Sequence, residues 1–242
     1  MATTKRINLI SSPRNLSTAL MYSFAQRADT KVVDEPLYAY YLSCTDIDHP
    51  GRAAVLSSQS QNSQEVVQKI IFGNYVEPIL FIKNMTSHIK EMDEGFLEQL
   101  WNIIYIRNPK QIIASYAQVV EMPQASEIAT IRQYELFEQL RSKGKQPIVL
   151  DSSALLVNPR LALQKLCTAC EIPFYEEMLT WDAGPIPEDG VWAKYWYANV
   201  HQTTGFKKQK TSDRVLPPHL IPLYEELKPY YDKMYAHAIR VE

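Results

Sequence analysis

The chain has 242 residues, 46% of them hydrophobic, and its 25 Lys and Arg against 27 Asp and Glu give a formal net charge of −2. That length can bury one full core, and the near-neutral balance supplies no general attraction to nucleic acid or to an anionic membrane. No stretch reaches the roughly 18 apolar residues that span a bilayer, the opening Met-Ala-Thr-Thr-Lys-Arg has no signal-peptide core, and three cysteines offer no disulfide framework, so a cytoplasmic protein without a membrane partner is expected.

Short apolar runs predict strands over 6–11, 31–34, 79–83, 102–106 and 147–151, and helical spacing falls over 17–27, 63–72, 94–100, 110–120, 128–143 and 159–170. Short buried strands alternating with helices predict an α/β fold, a central parallel sheet of about five strands with helices on both faces. Ligands in such sheets bind beyond the carboxyl ends of the strands. A single domain over 1–242 is expected. Its rhythm breaks over 174–206, where prolines and aromatics (Trp181, Trp192, Tyr195, Trp196, Tyr197) suggest a lid or substrate segment, and resumes in a C-terminal helix near 218–238.

The first strand runs into Ser12, Pro13, Arg14, Asn15, Leu16, Ser17, Thr18 and Ala19. The first glycine is Gly51, so this turn is neither the GxxxxGK[ST] loop nor the GxGxxG turn of nucleotide-binding folds. One cation, two hydroxyls and the unpaired N–H groups of a helix start can cradle a phosphate or sulfuryl group; Ser17 and Thr18 also suit an ordinary helix cap. The fourth strand repeats the arrangement. It ends at Arg107, and Ser115, eight residues on and expected in the first turns of the next helix, is placed to close on the same phosphate.

With these motifs the chain resembles the sulfotransferases that use 3′-phosphoadenosine 5′-phosphosulfate on a P-loop-like fold. The loop 12–19 is similar to their 5′-phosphosulfate loop, with Arg14 where many members carry lysine, and Arg107 with Ser115 matches their 3′-phosphate pair. The strand ending at Asp151, followed by Leu156, Leu163, Leu166 and the turn Cys170-Glu171-Ile172-Pro173-Phe174, resembles a later part of the same fold. The resemblance implies the phosphosulfate donor, adenosine 3′,5′-bisphosphate as product, no metal, and a small-molecule acceptor; it leaves the oligomeric state open. Lys207 and Lys208 stand where the late loop over the 3′-phosphate is expected.

Transfer to a hydroxyl or amine needs a cation on the donor side, which Arg14 can supply, and a base beside the acceptor. By resemblance to carbohydrate-modifying and bacterial members, Glu35 of Asp34-Glu35-Pro36 is the first candidate base, and the following proline biases it toward an extended backbone. Lys83 matches a lysine that contacts the sulfuryl group. His88, five residues after Lys83 rather than two, is the competing base. The aromatics at 38–41 and 181–197 can line an acceptor pocket or fill the core. Two other functions stay open: a small-molecule kinase, which lacks its lysine and glycines here, and a nucleotide-binding protein without catalysis. Cys167 and Cys170 form a CxxC late in an apolar helix, where core packing is expected. The five histidines show no metal-site spacing.

Overall fold

The computed structural model describes residues 4–118, 120, 122–207 and 215–241. Its elements are β1 (Lys5–Ser11), α1 (Ser17–Ala25), β2 (Thr30–Asp34), α2 (Tyr38–Ser43), α3 (Arg52–Ser58), α4 (Ser63–Val66), β3 (Ile79–Met85), β4 (Trp101–Ile106), α5 (Pro109–Tyr116), α6 (Ala125–Ile128), α7 (Thr130–Ser142), β5 (Ile148–Asp151), α8 (Ser152–Val157), α9 (Pro159–Ala169), α10 (Ala193–Trp196) and α11 (Ile221–Tyr235). All five strands are parallel in the order β2-β3-β1-β4-β5.

The strands have a period of two, and each parity builds its own core. Ile7, Leu9, Phe81, Ile103, Tyr105 and Leu150 join Leu20, Met21 and Phe24 of α1 and Leu163 and Leu166 of α9 on one face. Ile10, Leu80, Ile82, Ile104 and Val149 join Leu136, Phe137 and Leu140 of α7 and Met234 of α11 on the other. At about 1.5–3 kcal/mol per buried large aliphatic side chain, these two layers are the main stabilising force. Three buried asparagines cross the central strands: Asn84 donates to Asn8 Oδ1 (2.8 Å), Asn8 to Asn102 Oδ1 (3.0 Å), and Asn102 to the carbonyls of Leu97 and Leu100.

Several expected helices differ. The segment 63–72 is α4 followed by a wide turn over Val67–Ile71, and Arg6 gathers the Ile71 and Gly73 carbonyls at its end. Residues Gly95–Gln99 form a tight 3₁₀ turn, and α5 stops at Tyr116 instead of running on to 120. Five helices, α2, α3, α6, α8 and α10, were not expected. In α2 the residues Tyr38 to Leu42 are all buried, so no apolar stripe marks it as a helix. Among the described residues no helix is long and apolar enough to cross a membrane.

Candidate functional site

The sheet order makes the chain leave β1 toward β2 and leave β4 toward β5, so a crevice opens between the carboxyl ends of β1 and β4. The loop 12–18 lies there. It holds two non-glycine residues in the left-handed region, Arg14 and Leu16, both at φ 58°, each costing on the order of 1–2 kcal/mol. Anchors from β4 hold it in place: the Asn15 amide donates to the Tyr105 carbonyl and to Ser12 Oγ (3.4 Å), and Arg107 Nη1 donates to the Arg14 carbonyl.

Leu16, in its left-handed conformation, is the residue that caps α1, and no side chain caps the helix. The capping role considered for Ser17 and Thr18 is therefore corrected, because both lie inside the helix. Backbone turns of this kind, ahead of a helix start, gather N–H groups into anion-binding concavities. Arg14 Nε donates to Ser115 Oγ at 3.1 Å, and Arg107 Nε to Gln111 Oε1 at 3.1 Å. Arg14, Arg107 and Ser115 thus converge across the crevice. Ser115 reaches it from the last turn of α5, not the first turns, since the helix spans only eight residues.

A second, buried cluster lies at the ends of β2 and β3, whose register places Asp34 beside Lys83. Lys83 is 1% exposed, and its ammonium donates to Asp34 Oδ1 (2.9 Å), Glu35 Oε1 and the Tyr197 hydroxyl (2.7 Å). Three acceptors use all three ammonium protons. The Tyr197 hydroxyl lies 2.8 Å from Asp34 Oδ2 and accepts from Trp192 Nε1 at 3.1 Å, while the Gly190 N–H donates to Asp34 Oδ2 at 3.3 Å. Burial lifts the Asp34 carboxyl to about 6 against the pull of Lys83. Burial opposes the charge on Lys83, but Asp34 and Glu35 outweigh it and hold the lysine above its ordinary value.

Glu35 is not extended as its proline neighbour suggested. It sits at φ 41°, pinned where its N–H donates to the Lys83 carbonyl (2.7 Å) and its carbonyl accepts from Tyr38 N–H (3.0 Å) and Gln59 Nε2 (3.1 Å). These three bonds outweigh the local preference. Its Oε2 has no hydrogen-bond partner among the described residues and lies 3.8 Å from His88 Nδ1. His88 is 3% exposed and stacks on Tyr38 and Tyr41 at 4.6 and 4.8 Å, and its Nδ1 is sealed without a partner. Burial and the Lys83 charge push its pKa well below the ordinary value, so the ring is neutral at pH 7 and the 3.8 Å approach is not an ion pair.

Most of the candidate pocket aromatics are core: Tyr38, Tyr40, Tyr41, Trp181, Trp192 and Tyr197 are buried, and Tyr195 and Trp196 are exposed. Lys207 is exposed, and Lys208 lies outside the described residues. Cys167 and Cys170 are buried, and desolvation raises both thiols. Among the described residues no group of three or more His, Cys, Asp and Glu is placed to hold a metal ion. Asp34 and Tyr197 were missed as partners of Lys83, and Trp192 as the donor to Tyr197. The Asp34-Glu35 doublet was visible, but not the strand order that sets Lys83 beside it.

The chain belongs to the family described as "Sulfotransferase domain", whose model matches residues 5–238. Two Arabidopsis thaliana proteins are similar to it: "Branched-chain-amino-acid aminotransferase-like protein 1", 40% identical over 98% of this chain and 43% of its own length, and "Branched-chain-amino-acid aminotransferase-like protein 2", 35% identical over 96% and 41%. The chain thus spans about two fifths of the length of these curated relatives. Among solved structures it resembles the sulfotransferase domain of the Synechococcus PCC 7002 olefin synthase (TM-score 0.59, 17% identity, 99% of this chain and 98% of that one). It also resembles the sulfotransferase domain from the curacin biosynthetic pathway (TM-score 0.55, 17% identity, 98% of each chain). These likenesses are of fold.

Proposed function

We propose that the chain transfers a sulfuryl group from 3′-phosphoadenosine 5′-phosphosulfate to a hydroxyl or amine of a small acceptor. The observation that carries this reading is the convergence of Arg14, Arg107 and Ser115 across the β1–β4 crevice, with Arg14 Nε 3.1 Å from Ser115 Oγ. The loop 12–19 would hold the 5′-phosphosulfate end, and Arg107 with Ser115 the 3′-phosphate. The donor supplies an activated sulfuryl group and a stable leaving group. Arg14 and the N–H groups of the α1 start stabilise the charge that grows on the leaving side.

Glu35 Oε2 takes the acceptor's proton. Lys83 fixes Oε1, so the carboxylate is anchored by one oxygen and leaves the other without a hydrogen-bond partner. The three protons of Lys83 are already used, so its part is to hold Glu35; a direct sulfuryl contact requires release of Asp34, Glu35 or Tyr197. The neutral ring of His88 is the alternative proton acceptor. The names of the plant relatives make branched-chain amino acids a rational part of any acceptor panel.

The opposing reading, a nucleotide-binding protein without transfer, draws on this same saturation of Lys83. Binding calorimetry tests the donor site. Arg107→Ala should weaken adenosine 3′,5′-bisphosphate by about 2–3 kcal/mol more than 5′-AMP, the worth of a charge-assisted contact, because the loss of its bond to the Arg14 carbonyl touches both nucleotides alike. Equal weakening of both nucleotides removes Arg107 from the 3′-phosphate site.

A further inference from the structure

Gln133 of α7 is 1% exposed, and its side-chain amide donates to two backbone carbonyls, Ile10 at 3.2 Å and Tyr105 at 2.9 Å. These are the penultimate residues of β1 and β4, the two strands whose ends diverge to form the crevice. The Tyr105 carbonyl also accepts from Asn15 in the loop, so two side chains from different elements share one oxygen. Where neighbouring parallel strands separate, ladder bonds stop and the freed carbonyls need donors. Gln133 meets that need from beneath the crevice. One primary amide spanning both strand ends fixes their separation, because both of its N–H groups are committed.

That separation is a recognition distance. The loop carrying Arg14 leaves β1 just beyond Ile10, and Arg107 leaves β4 just beyond Tyr105. We propose that Gln133 is a positioning residue that sets the spacing between the two anion-binding loops, and so the preference for a nucleotide phosphorylated at both the 5′ and 3′ positions. This rests on the donor-site reading above. Gln133 touches no ligand in this scheme and acts through Ile10, Tyr105 and Asn15. In sequence it is a polar residue inside a helix, with nothing to mark it.

The test uses Gln133→Met, which keeps the volume without a donor, and Gln133→Asn, whose shorter amide keeps a donor but cannot span both carbonyls. Leu136→Ala, a buried change in the same helix, controls for loss of stability alone. Affinities for adenosine 3′,5′-bisphosphate and 5′-AMP are measured by calorimetry below each variant's unfolding transition, and the readout is their ratio. Gln133→Met should narrow the preference for the bisphosphate by roughly tenfold, about 1.4 kcal/mol, and Gln133→Asn by less, while Leu136→Ala lowers the melting temperature and leaves the ratio intact. If the ratio survives in Gln133→Met, or in Gln133→Asn should the Met variant not fold, the inference is overturned and the donor-site reading stands. A wild-type protein that binds both nucleotides equally overturns that reading and this inference together.

Discussion

Replacing Lys83 by Met removes the one cation from a buried group of two carboxylates and a phenol. Three hydrogen bonds are lost together, to Asp34, Glu35 and Tyr197. The Tyr197 hydroxyl and the Gly190 N–H remain as donors toward Asp34. Breaking a buried charge group by deleting one partner costs about 3–5 kcal/mol, a large share of the ~5–15 kcal/mol that holds a domain together. The cost should depend on pH, with a sign that follows from Asp34. Its folded pKa of about 6 lies above the ordinary value of 3.8, so its contribution to stability is full below the unfolded pKa and is lost as pH rises through 6, on the order of 3 kcal/mol in the wild type. The raised pKa of Lys83 leaves its own contribution constant from pH 5 to 8. Without the ammonium the Asp34 pKa climbs further, and the loss extends to higher pH. Urea denaturation followed by tryptophan fluorescence at fixed ionic strength should therefore find Lys83→Met nearest the wild type at pH 5 and furthest from it at pH 8. A deficit below about 1 kcal/mol that is flat with pH would refute the charged network.

Tyr197→Phe keeps the ring but strips Lys83, Trp192 and Asp34 of a shared partner; it should cost about 1–3 kcal/mol by denaturation, while an unchanged midpoint would show that the phenol bonds are dispensable. Glu35→Gln keeps shape and removes the proton acceptor, so once an acceptor is in hand, turnover should fall roughly 100-fold or more at constant bisphosphate affinity. His88→Asn is the paired control: loss of turnover there, with Glu35→Gln still active, moves the base to the histidine.

All five strands were legible because each is a short apolar run ended by a polar residue, and a buried parallel strand has no other signature. The turn after β1 was legible as a strand running into a helix, although its hydroxyls read as readily as a helix cap as an anion site. What stayed hidden depends on distance in the chain. Lys83 is 49 residues from Asp34 and 114 from Tyr197, and only the assembled sheet brings them together. Glu35 shows a local rule losing: proline at 36 favours an extended residue before it, yet bonds to Lys83, Tyr38 and Gln59 hold φ at 41°. The aromatics of α2 read equally as pocket or core, since composition does not say which side of a helix is covered.

The row of Asn84, Asn8 and Asn102 has a consequence for how this sequence can drift over generations. Each amide nitrogen donates to the next acceptor in the row, Asn84 to Asn8 and Asn8 to Asn102, and the last donates to the carbonyls of Leu97 and Leu100. Changing Asn8 alone to an aliphatic residue strands Asn84 and Asn102 at once, whereas exchanging a whole hydrogen-bonded set for apolar groups of similar shape can be nearly neutral. The viable route from one state to the other crosses a valley, so the three positions are inherited as a unit: diverged descendants should carry all three asparagines or an apolar trio, and mixed intermediates should be scarce.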